Sequence, residues 1–434
     1  DAKEYGSILN ITPVDFGRLY ARFEEIDNDI NVMQKPALDE LLPLVKCAEL
    51  LAQKYDVVVT NPPYMGASGM NARLSQYIKD HFPDTKADLF ACFIERGNQM
   101  AVKHGYNCMV TMQSWMFLSS FEKMREKILR TKSITNLMHM ENMVMGIAFG
   151  TAVTIFRNDH ITGYKGTYNQ IKLQDIENGE PKTFPVPENR FAQTSTDNFS
   201  KIPGSPVAYW VSKGLLSAFA TGKSLGDIAL ARNGMKTGEN GRFVRLWWEV
   251  ILQGFNPTAC DWKEASSSGA KWFPYNKGGE FRKWYGNNDC VVNWQNEGDE
   301  IFNHAKADKR NVQDYPLELK FKPSASWSLV TSGQPAFRYK ENNLSDIAGM
   351  SFFTEKQELL ILLGFCNSKI ALEILRILAP TINFQAGDIG RLPIVDYGVE
   401  TETIRGLVSS NIDESTTDWD SSEVSWDFKR HPLV

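Results

Sequence analysis

The chain has 434 residues, with 47 Lys plus Arg against 52 Asp plus Glu and a net charge of -5. That length allows two or three domains with cores that need no staples, and the charge gives no overall basic footprint, so a DNA role has to be local. Hydrophobic residues at 42% and aromatics at 12% exclude a disordered or fibrous chain, and the richest late apolar run, Leu359 to Cys366, is too short to span a bilayer. The six cysteines form no C-x-x-C pair and the six histidines no H-x-x-x-H spacing. No disulfide framework and no metal site is expected, and a reducing, cytoplasmic compartment fits best.

The start, Asp1-Ala2-Lys3-Glu4-Tyr5, has no initiating methionine and no signal or transit character, so the chain is expected to begin inside a longer one. The β-branched run Asp56-Val57-Val58-Val59-Thr60 predicts a buried strand that stops at the breaker Asn61-Pro62-Pro63. From Ala87, the residues Leu89, Phe90, Phe93, Ile94, Met100 and Ala101 recur at helical spacing, and Tyr106 to Gln113 reads as a strand. Ser119-x-x-Glu122 has capping-box spacing before a helix whose face carries Phe121, Met124, Ile128 and Leu129. Ile134 to His139 and Thr151 to Phe156 are further strand candidates. This alternation predicts an α/β domain with a mostly parallel sheet.

Residues 178 to 206 break the rhythm with Pro181, Pro185, Pro187, Pro203 and Pro206, which predicts a linker or a long irregular crossing. Beyond it, Trp247, Trp248, Trp262, Trp272, Trp284 and Trp294 crowd together, and most are expected in a core. Residues 232 to 340 hold 16 Lys/Arg and 12 Asp/Glu, a local +4, whereas Glu400 to Asp427 hold eight acids and one base, a local -7. A locally basic, aromatic-rich domain followed by an acidic tail is the expectation.

The sharpest chemical feature is Asn61-Pro62-Pro63-Tyr64 at the carboxyl end of an apolar strand, the end where open α/β sheets bind ligands. Methyl transfer to an exocyclic amino nitrogen suits these residues, because that lone pair is delocalised into the base and is a poor nucleophile. The Asn61 side-chain oxygen and the Pro62 carbonyl could each accept one amino hydrogen, pulling the nitrogen toward tetrahedral geometry. Tyr64 would stack on a base that has left the duplex, and the two prolines would stiffen the turn. The same tetrapeptide is also an ordinary strand-ending turn. Thr221-Gly222-Lys223-Ser224 echoes a P-loop, but Ser217 stands where the earlier glycine is required, so it reads as a loop and helix start. No Asp/Glu plus Glu-x-Lys cluster supports DNA cleavage.

Asp56 through Tyr64 resembles the catalytic motif of the amino-group DNA methyltransferases, and Ala87-Asp88-Leu89-Phe90-x-x-Phe93-Ile94-Glu95 resembles the helix that follows it in the adenine-N6 branch. Gly105 to Trp115 and Gly146 to Phe156 look like later strands of the same domain. The resemblance implies base stacking by Tyr64 and Phe149, with Met145 an alternative in register and a plain core aromatic the bland reading of Phe149. It implies cofactor contacts for Asp56, Asp88 and Phe90. Asn233 to Arg245 and Lys271 to Tyr285 are similar to the target-recognition domain of BREX phage-defence methyltransferases (PglX type) and of related type IIG/IIL restriction-modification enzymes. Asn367-Ser368-Lys369, Asn383 to Pro393 and Ser425 through Leu433 look like its later segments. Lys236, Arg242, Arg245, Lys277, Arg282 and Lys283 are the candidate DNA contacts, each also readable as a solvated surface charge.

The family binds S-adenosylmethionine through a glycine loop and an acidic residue upstream of the Asn-Pro-Pro-Tyr motif. Asp1 to Tyr55 has Gly6 and Gly17 standing alone, and Asp27 and Asp29 without such a loop. The expected fold is α/β: part of a Rossmann-like methyltransferase domain, then an α+β target-recognition domain. The expected boundaries are 1–175 catalytic, 176–206 linker, 207–400 target recognition, and 401–434 an acidic tail or the start of a further region. The expected activity is site-specific adenine-N6 methylation of double-stranded DNA, with other defence-system proteins as possible partners and no membrane. Two alternatives stay open: a non-catalytic DNA-recognition or partner-docking module, and the modification half of a type IIG restriction enzyme.

Overall fold

The structure, a computed structural model, describes residues 2–28, 35–331, 333–396 and 398–431. Asp29, Pro432, Leu433 and the side chain of Met145 lie outside what it describes. Two compact units divide the chain, Asp1–Val211 and Ser212–Val434.

In the first unit, α1 (Phe16–Asn28) and α2 (Lys35–Ala52) are joined by the Tyr20 hydroxyl, which donates to Glu49 at 2.6 Å. Then come β1 (Tyr55–Thr60), α3 (Ala72–His81), α4 (Leu89–Met100), β2 (Ala101–Met112), α5 (Glu122–Thr131), β3 (Ser133–Met140), β4 (Thr151–Arg157), β5 (Lys165–Ile171) and β6 (Arg190–Ser195). The sheet order is β1-β2-β4-β3-β5-β6. The pairs β1–β2 and β3–β5 are parallel, whereas β2–β4, β3–β4 and β5–β6 are antiparallel. The expected mostly parallel sheet is thus corrected to a mixed one. The reason is local: the short 141–150 connection lets β4 turn straight back from β3, as only an antiparallel pair permits.

Helix α4 starts where Asp88 caps it, its carboxylate accepting from the Phe90 amide, and buries Leu89, Phe90 and Ile94. Helix α5 buries Met124, Ile128 and Leu129 as its spacing predicts. Ser119, expected to open that helix, opens a 3-10 turn, Ser119–Phe121, and the α-helix begins after it. Strand β1 lies at the sheet edge, with Val57 and Val59 54% and 72% exposed, so the run expected to be buried is half bare.

Residues 176–206 are not a linker here. They supply β6, and together with the following residues they send Phe199, Val207 and Tyr209 into the same core as Phe90, Trp115, Phe121 and Phe156. Arg125, 1% exposed, fastens this return by donating to the carbonyls of Trp115, Leu118 and Gly204. Five prolines read as irregular chain, but Phe199 buried among them, with Val207 and Tyr209 just beyond, outweighs that local preference.

The second unit contains β7 (Leu230–Arg232), β8 (Val244–Leu246), β9 (Trp272–Asn276), β10 (Cys290–Asn293), α6 (Asp299–Ala307), β11 (Ser324–Ser328), β12 (Phe337–Lys340), β13 (Leu344–Ser345) and β14 (Gly349–Phe353). These strands form two sheets, β7-β14-β11-β12 and β8-β10-β9-β13. Helices α7 (Lys356–Cys366), α8 (Lys369–Leu378) and α9 (Thr401–Asp420) follow. Of the six crowded tryptophans only Trp294 is buried, and Trp248 is 49% exposed, so the expectation that most lie in a core is corrected. The expected acidic tail is largely α9, which buries Val408 and Trp419 and meets α7 so closely that a Cβ at Gly364 would lie 2.8 Å from Val408. Ser224 caps the turn Leu225–Ile228, in line with a helix start. Among the described residues no helix is long and apolar enough to cross a membrane.

Candidate active site

Four strand ends meet along one edge of the first sheet. Thr60 pairs with Met109, Met112 with Thr151, and Thr151 with Met140, which brings together the carboxyl ends of β1, β2 and β3 and the amino end of β4. Asn61-Pro62-Pro63-Tyr64 leaves β1 at this edge, with Pro62 buried, Asn61 and Pro63 exposed, and Tyr64 half-buried. The Tyr64 hydroxyl lies 3.2 Å from Asn61 Oδ1 and 3.3 Å from the Val110 carbonyl, and its single proton serves one of them at a time. Burial raises the Tyr64 pKa above the ordinary phenol value, so the group stays a donor.

Phe149, 38% exposed, stands edge-on to Tyr64 with 5.6 Å between ring centroids, and Phe90 approaches the Tyr64 ring at 6.0 Å. The structure therefore brings Asn61, Tyr64 and Phe149 to one place. Of the residues named for the cofactor, Phe90 packs on Tyr64 from the core side, Asp88 holds the loop after it, and Asp56 lies elsewhere. Asp56 sits near the amino end of β1, about 16 Å from Asn61 at strand rise. Phe90 is 0% exposed and has no surface left for a ligand. The Asp88 carboxylate accepts from the amides of Met65 at 3.0 Å and Phe90 at 3.2 Å, clamping the loop after Tyr64 to the start of α4. Desolvation raises the Asp88 pKa while those backbone amides oppose the rise. The expected cofactor contact is corrected for Phe90 alone, whose ring lies wholly inside the core.

The six candidate DNA contacts are mostly engaged inside the second unit. Arg242 pairs with Glu300 at 3.1 Å, Lys277 with Asp346 at 2.8 Å, and Arg282 with Asp418 at 2.8 Å. Arg245 donates to the carbonyls of Gly241 and Val244, and Lys283 to that of Asn367. For Lys236 only the backbone is tied, to Gln313. These partners are remote in sequence for Arg242, Lys277, Arg282 and Lys283 and local for Arg245, and Arg242 and Arg282 keep 48% and 35% of their side chains exposed.

Three residues that sequence reasoning missed stand at the same edge as Asn61: Gln113 just after β2, His139 near the end of β3, and Asn142 beyond it. Their signal was available, since polar side chains at the carboxyl ends of strands are where ligands gather.

Residues 13–144 match the Eco57I restriction-modification methylase family. The chain is 33% identical over 445 residues to the adenine-specific methyltransferase BrxX of Escherichia coli O9:H4 (strain HS), covering 100% of this chain and 35% of that protein. It is 34% identical over 409 residues to the adenine-specific methyltransferase PglX of Lacticaseibacillus casei (strain Zhang), covering 91% and 34%. It thus spans about a third of the length of these curated relatives. Among solved structures it is similar to the type IIL restriction-modification enzyme MmeI in complex with DNA, at a TM-score of 0.57 and 11% identity over 88% of this chain and 52% of that one. The chain is a relative, along its whole length, of the adenine-specific methyltransferases BrxX and PglX, and its restriction-modification methylase segment contains Asn61 to Tyr64.

Proposed function

We propose that the protein is a site-specific DNA methyltransferase of the phage-defence type that modifies the N6 amino group of adenine, with S-adenosylmethionine as methyl donor. The observation that carries this reading is the convergence of Asn61, Tyr64 and Phe149 at one sheet edge, with Tyr64 and Phe149 5.6 Å apart. An adenine flipped out of the duplex would lie against Tyr64. The Asn61 side-chain oxygen and the Pro62 carbonyl would take its two amino hydrogens and free the nitrogen lone pair for attack. Phe149 would close the pocket wall and exclude water from the amino group.

On the donor side, Phe90 is buried and Asp56 lies near the far end of β1, so neither is assigned a step with S-adenosylmethionine. This chain accounts for the acceptor side of the reaction. The second unit is assigned to target recognition on double-stranded DNA, with Lys236 among its candidate phosphate contacts, and the compartment to the cytoplasm.

Replacing Asn61 by Ala in the natural protein is expected to lower adenine methylation at least a hundredfold, read by labelled methyl incorporation into DNA. Binding to the same duplex should stay within about threefold. Methylation at the wild-type level would sink the assignment.

A further inference from the structure

A row of polar side chains crosses the first unit behind Phe149. The Tyr209 hydroxyl lies 3.0 Å from His139 Nδ1, and His139 Nε2 bonds to Gln113 Oε1. Gln113 Nε2 donates to Asn142 Oδ1 at 3.3 Å, and the same oxygen accepts the Gly150 amide at 2.6 Å. The Gln113 amide in turn donates to the Gly150 carbonyl at 3.0 Å, so both backbone groups of the residue following Phe149 are held.

The Gly150 amide can only donate, which makes Asn142 Oδ1 an acceptor and orients the row behind it. Burial pushes the His139 pKa down to about 4, so its ring is neutral and carries one donor and one acceptor. Gln113 Oε1 can only accept, which puts the proton on Nε2 and leaves Nδ1 to accept from Tyr209. The row then runs one way, from Tyr209 through His139 and Gln113 to Asn142. Tyr209 is anchored at its origin by stacking on Tyr168, 5.1 Å between centroids.

The receiving end has no slack. A Cβ at Gly150 would fall 2.3 Å from the Gln113 carboxamide, so a larger residue at 150 would push that side chain out of the row. That segment delivers Phe149, itself 38% exposed, to the ring of Tyr64.

We infer that Tyr209, His139, Gln113 and Asn142 are positioning residues, a one-way hydrogen-bonded strut that sets Phe149 opposite Tyr64 and so fixes the width of the pocket for the target base. The inference rests on the reading of Asn61 to Tyr64 as the acceptor site. None of the four has to touch the base. Their effect passes through the buried Gly150 backbone: Tyr209 and His139 are buried, Gln113 is half-buried and Asn142 is exposed, and a connected row of hydrogen bonds helps hold a site to the tolerance that chemistry needs.

The test uses the natural protein and a duplex with 2-aminopurine at the methylated position. Asn142→Leu removes the acceptor for both Gly150 and Gln113 at nearly constant volume. It is expected to lower kcat at least tenfold and to weaken the 2-aminopurine signal of the extruded base, with duplex affinity and melting temperature close to wild type. Asn142→Asp keeps the acceptor oxygen and should restore most of both signals. Should Asn142→Leu fail to fold, Tyr209→Phe, which preserves the stacked ring, is expected to lower kcat about threefold and to weaken the same signal. Wild-type kcat and signal in the folded variant, or no rescue by Asn142→Asp, would overturn the strut. A wild-type protein that methylates no adenine would instead overturn the functional reading beneath it.

Discussion

Tyr64 and Phe149 meet edge to face, 5.6 Å between centroids and 72° between ring planes, although they belong to segments that leave different strands in opposite directions. One is the last residue of a stiff turn after β1, and the other precedes β4 on a loop held by its backbone. Their contact joins two separately supported walls, and the base proposed to enter has to pass between or beside them.

Exchanges at these rings should separate stacking from hydrogen bonding. Tyr64→Ala removes a base-stacking surface worth about 1–3 kcal/mol, so kcat/KM is expected to fall about 10- to 100-fold. Tyr64→Phe keeps the ring and releases Asn61 Oδ1 from the hydroxyl now 3.2 Å away, so activity should remain within about threefold. Phe149→Ala loses an aromatic pair worth about 0.5–1.5 kcal/mol and should cost about 3- to 10-fold. Steady-state methyl transfer with each variant checks the order; a Tyr64→Phe enzyme as impaired as Tyr64→Ala would show that the hydroxyl itself is needed.

Asp88 should behave as a structural clamp. Asp88→Ala removes the cap of α4 and the acceptor for the Met65 amide, and is expected to destabilise the protein by about 1–2 kcal/mol in urea unfolding. Asp88→Asn keeps an acceptor oxygen and should cost less than half as much. A larger loss of stability in Asn than in Ala would contradict the clamp.

The cations divide into two kinds. Lys277→Ala strands the Asp346 carboxylate, whose side chain is 3% exposed, and with Lys277 itself 28% exposed the expected cost is about 1–3 kcal/mol of stability. Lys236→Ala should leave stability unchanged, weaken duplex binding evenly across sequences, and lower the salt slope by about one. Binding titrations at several salt concentrations beside thermal melts distinguish the two.

His139 gives acid sensitivity a sign. Its folded pKa is lowered to about 4 from 6.5 because the ring is buried, so between these values the unfolded chain takes up a proton that the folded one refuses. Stability therefore falls as pH drops through this window, by about 2 kcal/mol between pH 7 and pH 5 from this group. His139→Gln should flatten that part of the profile, read as unfolding midpoints in urea at each pH.

Some of this was determined by the sequence alone. The run Asp56 to Thr60 and the breaker after it placed β1 and its turn, and the apolar spacing from Leu89 placed α4, because strand, turn and helix preferences act over a few neighbouring residues. Phe149 as the partner of Tyr64 was legible only through the resemblance. Tertiary structure decided the rest: β4 running antiparallel between β2 and β3, residues 190–211 closing the first unit, and Asp88 bonded to the Met65 amide across the loop. It also decided which cations are already paired, and that His139, Gln113 and Asn142 stand in line behind Phe149. These outcomes rest on contacts between residues far apart in the chain, whose energies depend on burial and on which partner arrives, and neither quantity is encoded in local spacing.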